Sequence, residues 1–150
     1  MGKNKTMVIM SAIPRAGKST YVNTLRKMGY LVVSADDLRT ILLGEKGNMN
    51  NESLIWEVFY FNLKTICSKG YNVIIDNTNI SRKARKTLID IAKIYDYKVN
   101  CVRVKTKMDT IIKRCAETCF PVKVVYDMDE RYQEPSYDEG FDAIIDIKGE

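Results

Sequence analysis

The sequence predicts an α/β fold, a parallel five-stranded sheet with helices on both faces. Two observations predict it. Short apolar runs alternate with helix-like stretches along the whole chain, the pattern of parallel strands joined by helical crossovers. A glycine-containing turn joins the first run to the first helix, and such sheets bind ligands beyond the carboxyl ends of their strands. The chain has 150 residues, about one domain's worth. No linker, repeat or biased segment divides it, so residues 1–150 read as a single domain.

Residues 6–10 are a short β-rich run, and residues 18–28 form a helix after the turn. Residues 30–33 are a second strand and residues 36–43 look helical. A polar loop over 44–51 leads into a long helix over 52–68. Its expected apolar face is Leu54, Ile55, Val58, Phe61, Leu63 and Ile66. Gly70 stands where a helix C-cap belongs. Residues 71–75 are a third strand, and 81–95 a helix with Ser81 as N-cap. Residues 98–104 are a fourth strand, 108–117 a helix and 143–147 a fifth strand.

Composition removes whole classes of chemistry. The chain has no His, which excludes Ser-His-Asp and Cys-His catalysis, His-ligated zinc and any imidazole switch. Carboxylates, cations, hydroxyls and backbone must do the work. The net charge of +5 hints at a polyanionic partner. No run of 18 apolar residues suggests a membrane span. The basic start lacks the apolar core of a signal peptide. Thr6 completes a myristoylation pattern, but a strand begins there, so the match reads as chance. Cys67, Cys101, Cys115 and Cys119 form no CxxC pair, and two thiolates one helical turn apart make a poor zinc site. Reduced thiols and a cytoplasmic setting are expected.

Ser11 to Thr20 (SAIPRAGKST) follows a strand and opens a helix, the context of the G-x-x-x-x-G-K-[ST] phosphate loop. Backbone N–H groups of Arg15, Ala16, Gly17, Lys18, Ser19 and Thr20 would ring a β-phosphate at a helix N-terminus. Lys18 would reach the β- and γ-phosphates, and Ser19 would place a hydroxyl on Mg²⁺. Ala12 stands where the first Gly should be, at a cost of about 1 kcal/mol if that position needs φ > 0. Arg15 could support phosphates or occupy their site.

The second strand ends in Ser34-Ala35-Asp36-Asp37-Leu38-Arg39. Asp36 can orient and deprotonate a hydroxyl, and Arg39 lies on the same helical face, able to hold a phosphate bidentately. The plainer alternative is an N-cap with solvated first-turn charges. The third strand ends in Asp76, a candidate Mg²⁺ carboxylate, followed by Asn77, Thr78 and Asn79. Arg82, Lys83, Arg85 and Lys86 then crowd a helix start against its dipole, either as polyanion contacts or as a solubilising face. Lys113, Arg114, Lys123 and Arg131 lie on helices around Pro121. A helical lid over about 113–135 could bring Arg114 and Arg131 to developing charge.

Four segments together, AGKST, SADDLR, VIIDNTNISRKAR and RYQEP…EGFDAI, resemble the kinase domain of phage-type 5′-polynucleotide kinases and their P-loop kinase relatives. The match runs over residues 7–147. The resemblance implies a P-loop NTPase fold with a helical lid and an enzyme moving the γ-phosphate of ATP to a 5′-hydroxyl of DNA or RNA. It implies that Lys18 and Ser19 serve ATP and Mg²⁺, that Asp36 is the general base and that Arg39 engages the acceptor's 3′-phosphate. Asp76 and Thr78 line the site, and Arg114 is the lid Arg. Asn79, Arg82 and Arg85 are further expected substrate contacts, and single-stranded or nicked nucleic-acid 5′ ends are the expected partners. A phage protein would act in the host cytoplasm. Ala12 and Arg15 depart from the family's glycines, and Thr118 replaces a second lid Arg. No residues remain for the phosphatase domain fused to some relatives.

Overall fold

The computed structural model describes residues 5–45 and 47–149. Its strands are β1 (Thr6–Ser11), β2 (Leu31–Val33), β3 (Val73–Ile75), β4 (Lys98–Lys105) and β5 (Ala143–Lys148). They form one parallel sheet in the order β2-β3-β1-β4-β5. The helices are α1 (Lys18–Lys27), α2 (Ala35–Leu43), α3 (Glu52–Ser68), α4 (Arg82–Ile94), α5 (Met108–Thr118) and α6 (Val122–Arg131), with a 3-10 turn at Tyr137–Glu139. The predicted class and strand order along the chain therefore hold. The second and third strands are shorter than their apolar runs, because Tyr30, Tyr71 and Asn72 lie before the ladder begins. Ser81 caps α4 as expected, accepting from the Ala84 N–H.

Alternation along β1 builds two cores. Met7 and Ile9 face α3 and α4, packing with Ile55, Phe59, Leu63, Leu88 and Ile89. Val8 and Met10 face α1, α5 and α6, packing with Val22, Leu25, Ile111 and Val125. The expected face of α3 is corrected here. Its buried stripe is Ile55, Phe59, Leu63 and Cys67, a spacing of four, while Leu54 and Phe61 are exposed. The sequence offered an apolar residue at nearly every turn, and only the sheet decides which stripe it covers.

The topology also fixes where a ligand can enter. β1 leads to α1 on one face, and its neighbour β3 leads to α4 on the other. Their loops diverge, opening a crevice at the carboxyl ends of adjacent strands. No helix of the described residues is long and apolar enough to cross a membrane.

Candidate active site

The loop of residues 12–17 bridges β1 and α1. Gly17 is the N-cap residue of α1 at φ 103°, a left-handed conformation that glycine adopts without a Cβ penalty. No side chain caps α1, and its first turn holds no acid. Its leading N–H groups are therefore left without a side-chain cap, as at helix ends that bind phosphate. Ala12 is not among the residues with positive φ; the left-handed non-glycine residue of the loop is Arg15, at φ 67°. The strain expected from the missing first glycine thus falls on Arg15 instead. Its guanidinium sits 4.7 Å from the ring centroid of Phe120, between α5 and α6.

Lys18 and Asp76 meet across the crevice, with Nζ 3.7 Å from Oδ1. Burial pushes the Lys18 ammonium below its ordinary value, while Asp76 and then Asp36 pull it back up. Ser19 and Thr20 are exposed in the first turn of α1. Two further contacts tie down the back of the loop. Thr106 Oγ1 donates to the Ala16 carbonyl at 2.5 Å. Arg114 donates to the carbonyls of Arg15 (3.0 Å) and Gly149 (2.6 Å). A Cβ on Gly149 would collide with the Ala16 carbonyl, so this approach requires glycine.

The acceptor side is more crowded than the sequence suggests. Ser34 caps α2 by accepting from the Asp37 N–H. Arg39 is buried, and its Nη1 donates to Asp36 Oδ1 at 2.7 Å. Its Nε and Nη2 form a fork to the Glu52 carboxylate at 2.9 and 2.6 Å. That hydrogen bonding raises the Arg39 pKa and holds the Glu52 carboxyl below its usual range. Glu52 had no role in the sequence reading. An acid in the first turn of a helix looked like ordinary dipole complement. Arg39 is therefore shared by two carboxylates rather than waiting free for a phosphate.

Three expected substrate contacts have partners within the chain. Arg85 is fully buried and clasps Glu139, so it offers no guanidinium to the crevice. Asn79 is buried at φ 45°, its side chain donating to the Met10 carbonyl. Arg82 pairs with Asp138 and Ser136 on the segment after α6. All three are drawn away by partners the local sequence did not reveal. Thr78 turns its carbonyl to the Ala12 N–H. Arg131, expected at the nucleotide, is exposed and donates to Asp127 within its own helix.

The residues present fit a nucleotide and its metal. No cluster of three or more His, Cys, Asp or Glu able to hold a metal occurs among the described residues. Mg²⁺ in kinase sites needs only one or two carboxylates besides substrate phosphates. Ser19 and Asp76 supply that kind of sparse donor set at the mouth of the phosphate loop.

This fold and loop define a phosphate-binding domain of the P-loop kinase type. Residues 7–135 match the AAA domain family model, and the chain belongs to that family. It is 25% identical over 141 residues to an L-seryl-tRNA(Sec) kinase of Methanococcus maripaludis, covering 86% of this chain and 53% of the relative. The chain thus spans about half the length of that curated relative. A chain in the Pnkp1/Rnl/Hen1 RNA repair complex superposes with TM-score 0.71 at 19% identity, covering 89% of this chain and 48% of that one. Kti12 of Chaetomium thermophilum, solved with ADP-AlF3, gives TM-score 0.72 at 16% identity, covering 95% and 88%.

Proposed function

We propose that this chain is an ATP-dependent phosphotransferase whose acceptor is the 5′-hydroxyl of a polynucleotide. The observation that carries it is the facing of Lys18 and Asp76, at 3.7 Å, with Asp36 offsetting part of the fall that burial imposes on the Lys18 pKa. A phosphate-loop cation, a metal-type carboxylate and a base-type carboxylate thus share one crevice. The RNA repair complex and the tRNA-directed kinase among the similar proteins favour a nucleic-acid acceptor. So does the net charge of +5.

In this reading, Lys18 and the α1 N-terminus hold the β- and γ-phosphates. Asp36 takes the proton of the acceptor hydroxyl as the new O–P bond forms and the bond from γ-phosphorus to the bridging oxygen breaks. Mg²⁺, when bound near Ser19 and Asp76, neutralises charge on the transferring phosphates. Arg114 supports that charge after leaving the Gly149 carbonyl. The four cysteines are free, three of them buried, in keeping with a cytoplasmic setting.

Labelled ATP mixed with a 5′-hydroxyl oligonucleotide tests the reading. Label should move to the 5′ end, and no transfer across a range of salt and metal would sink it. One observation favours a second reading, a small-molecule hydroxyl as acceptor. Glu52 already occupies the fork of Arg39, the residue expected to clamp an acceptor phosphate. Activity on monomeric acceptors without competition by oligonucleotides would decide for that reading.

A further inference from the structure

We infer that Arg85 is a positioning residue for the nucleotide site: from inside α4 it holds the junction between the phosphate loop and the loop carrying Asp76. The inference rests on the proposed nucleotide site but not on the identity of the acceptor.

Arg85 is the largest fully buried side chain of the described residues. Its Nε and Nη2 form a fork to the Glu139 carboxylate at 2.8 and 3.2 Å. Its Nη1 donates to the Asn79 carbonyl at 2.9 Å. Asn79 lies three residues past Asp76 and is held in a left-handed conformation. A non-glycine residue stays there only when its surroundings hold it.

The same Asn79 ties two strand ends together. Its Nδ2 donates to the Met10 carbonyl at 2.7 Å, and its own carbonyl accepts from Ser11 Oγ at 3.0 Å. One residue earlier, the Thr78 carbonyl accepts from the Ala12 N–H at 3.0 Å. Residues 10–12, the entry to the phosphate loop, are thus bonded to residues 78–79, the exit from the Asp76 strand. Tyr132, just after α6, joins the same junction through Ser11 Oγ at 2.8 Å.

Stability alone does not call for an arginine here. A buried ion pair is commonly replaceable by well-packed apolar side chains without loss of stability. An apolar pair cannot donate to the Asn79 carbonyl. Only a guanidinium supplies a two-pronged fork to Glu139 and a third N–H in another direction. The junction sets the separation of Lys18 and Asp76, which arrive from different strands. Displacements of about 1 Å matter at such sites.

The test replaces the pair by apolar residues, as R85M/E139L, and separately makes Arg85→Lys, which keeps the charge but has one donor head. Thermal unfolding checks the fold, and titration calorimetry measures ATP affinity with and without Mg²⁺. We expect the folded double variant to unfold cooperatively and to bind ATP–Mg²⁺ about 10-fold more weakly. The gain in affinity that Mg²⁺ gives should shrink, because Asp76 and Ser19 lose register. Should the double variant not fold, Arg85→Lys carries the same expectation. Wild-type affinity in a folded variant overturns the inference. A loss of equal size with and without Mg²⁺ also overturns it, since that marks general loosening. Absence of transfer to an oligonucleotide would defeat the acceptor reading and leave this binding result standing.

Discussion

The two halves of the crevice are built on opposite terms. On the phosphate-loop side, α1 has neither a side-chain cap nor a first-turn acid, and Lys18 reaches Asp76 only at 3.7 Å. Its positive groups remain available. On the acceptor side, the one buried cation, Arg39, already serves Asp36 and Glu52 at 2.6 to 2.9 Å. In the donor half, the leading N–H groups of α1 are uncapped by any side chain. In the proposed reading, Arg39 would have to exchange one of these carboxylates to take an acceptor phosphate.

The largest expected effect tests the shared centre of the two halves. Asp36→Asn keeps the shape and a hydrogen-bond partner for Arg39 but cannot take a proton. Turnover should fall by roughly 10²–10⁴ while ATP affinity stays within a few-fold. Normal turnover in that variant would show that another group is the base. Next comes the donor half. Lys18→Met removes a fixed charge aimed at the phosphates and should lower turnover by about 10²–10³, with weaker ATP binding as well. Calorimetry and steady-state rates separate the two losses.

Glu52→Gln tests the closed half. It weakens the fork on Arg39, and because the pair is only partly buried the stability cost should be about 1–2 kcal/mol. The pH dependence has a definite sign. Arg39 holds the folded Glu52 carboxyl below its ordinary 4.5, so this contribution is complete above that value. It is lost as pH falls through the lower folded value. Wild-type Tm should therefore drop on the acid side of pH 4.5, and Glu52→Gln should drop less steeply. The residual slope belongs to Asp138, held down by Ser136 and Arg82, and to Asp146, held down by Arg103. If Arg39 is the acceptor clamp, the variant should also lower KM for a 3′-phosphorylated acceptor and leave a phosphate-free one unchanged. A KM lowered equally for both would assign Arg39 to Asp36 alone.

The contrast between the halves also explains what was legible in the sequence. The places of the phosphate loop, Lys18, Asp76 and Asp36 in the fold were readable because strand, turn and helix signals lie beside them. Parallel strands buried on both faces read as apolar runs for the same local reason. Arg39, Asn79, Arg82 and Arg85 have partners within the chain that the sequence did not reveal. Arg85 finds Glu139 54 residues away, Asn79 finds Met10 69 away, and Arg39 finds Glu52 across a polar loop. A cation near a strand end looks the same in sequence whether it waits for a ligand or is held by a carboxylate. Only the packing of the 3-10 turn against α4 and of α3 against α2 and β2 decides.

The smallest effect concerns Arg15, where the loop departs from glycine. Its left-handed backbone costs about 1–2 kcal/mol for a residue with a Cβ. Its guanidinium over Phe120 returns about 0.5–1 kcal/mol. Arg15→Gly relieves the first and forfeits the second, and glycine's extra freedom in the unfolded chain costs about 0.5–1 kcal/mol more. The sum is close to zero, so Tm should move by no more than about 2–4 °C. Arg15→Ala keeps the strain and still loses the aromatic contact, so it should be the less stable of the two. The reverse order in a melting experiment would mean that the backbone at 15 is not what limits this loop. ATP affinity should hold within a few-fold in both, because the Arg15 guanidinium lies over Phe120 and, in the proposed reading, the backbone N–H groups and Lys18 would hold the phosphates. A large loss of affinity would bring Arg15 back into the donor half and narrow its contrast with the acceptor half.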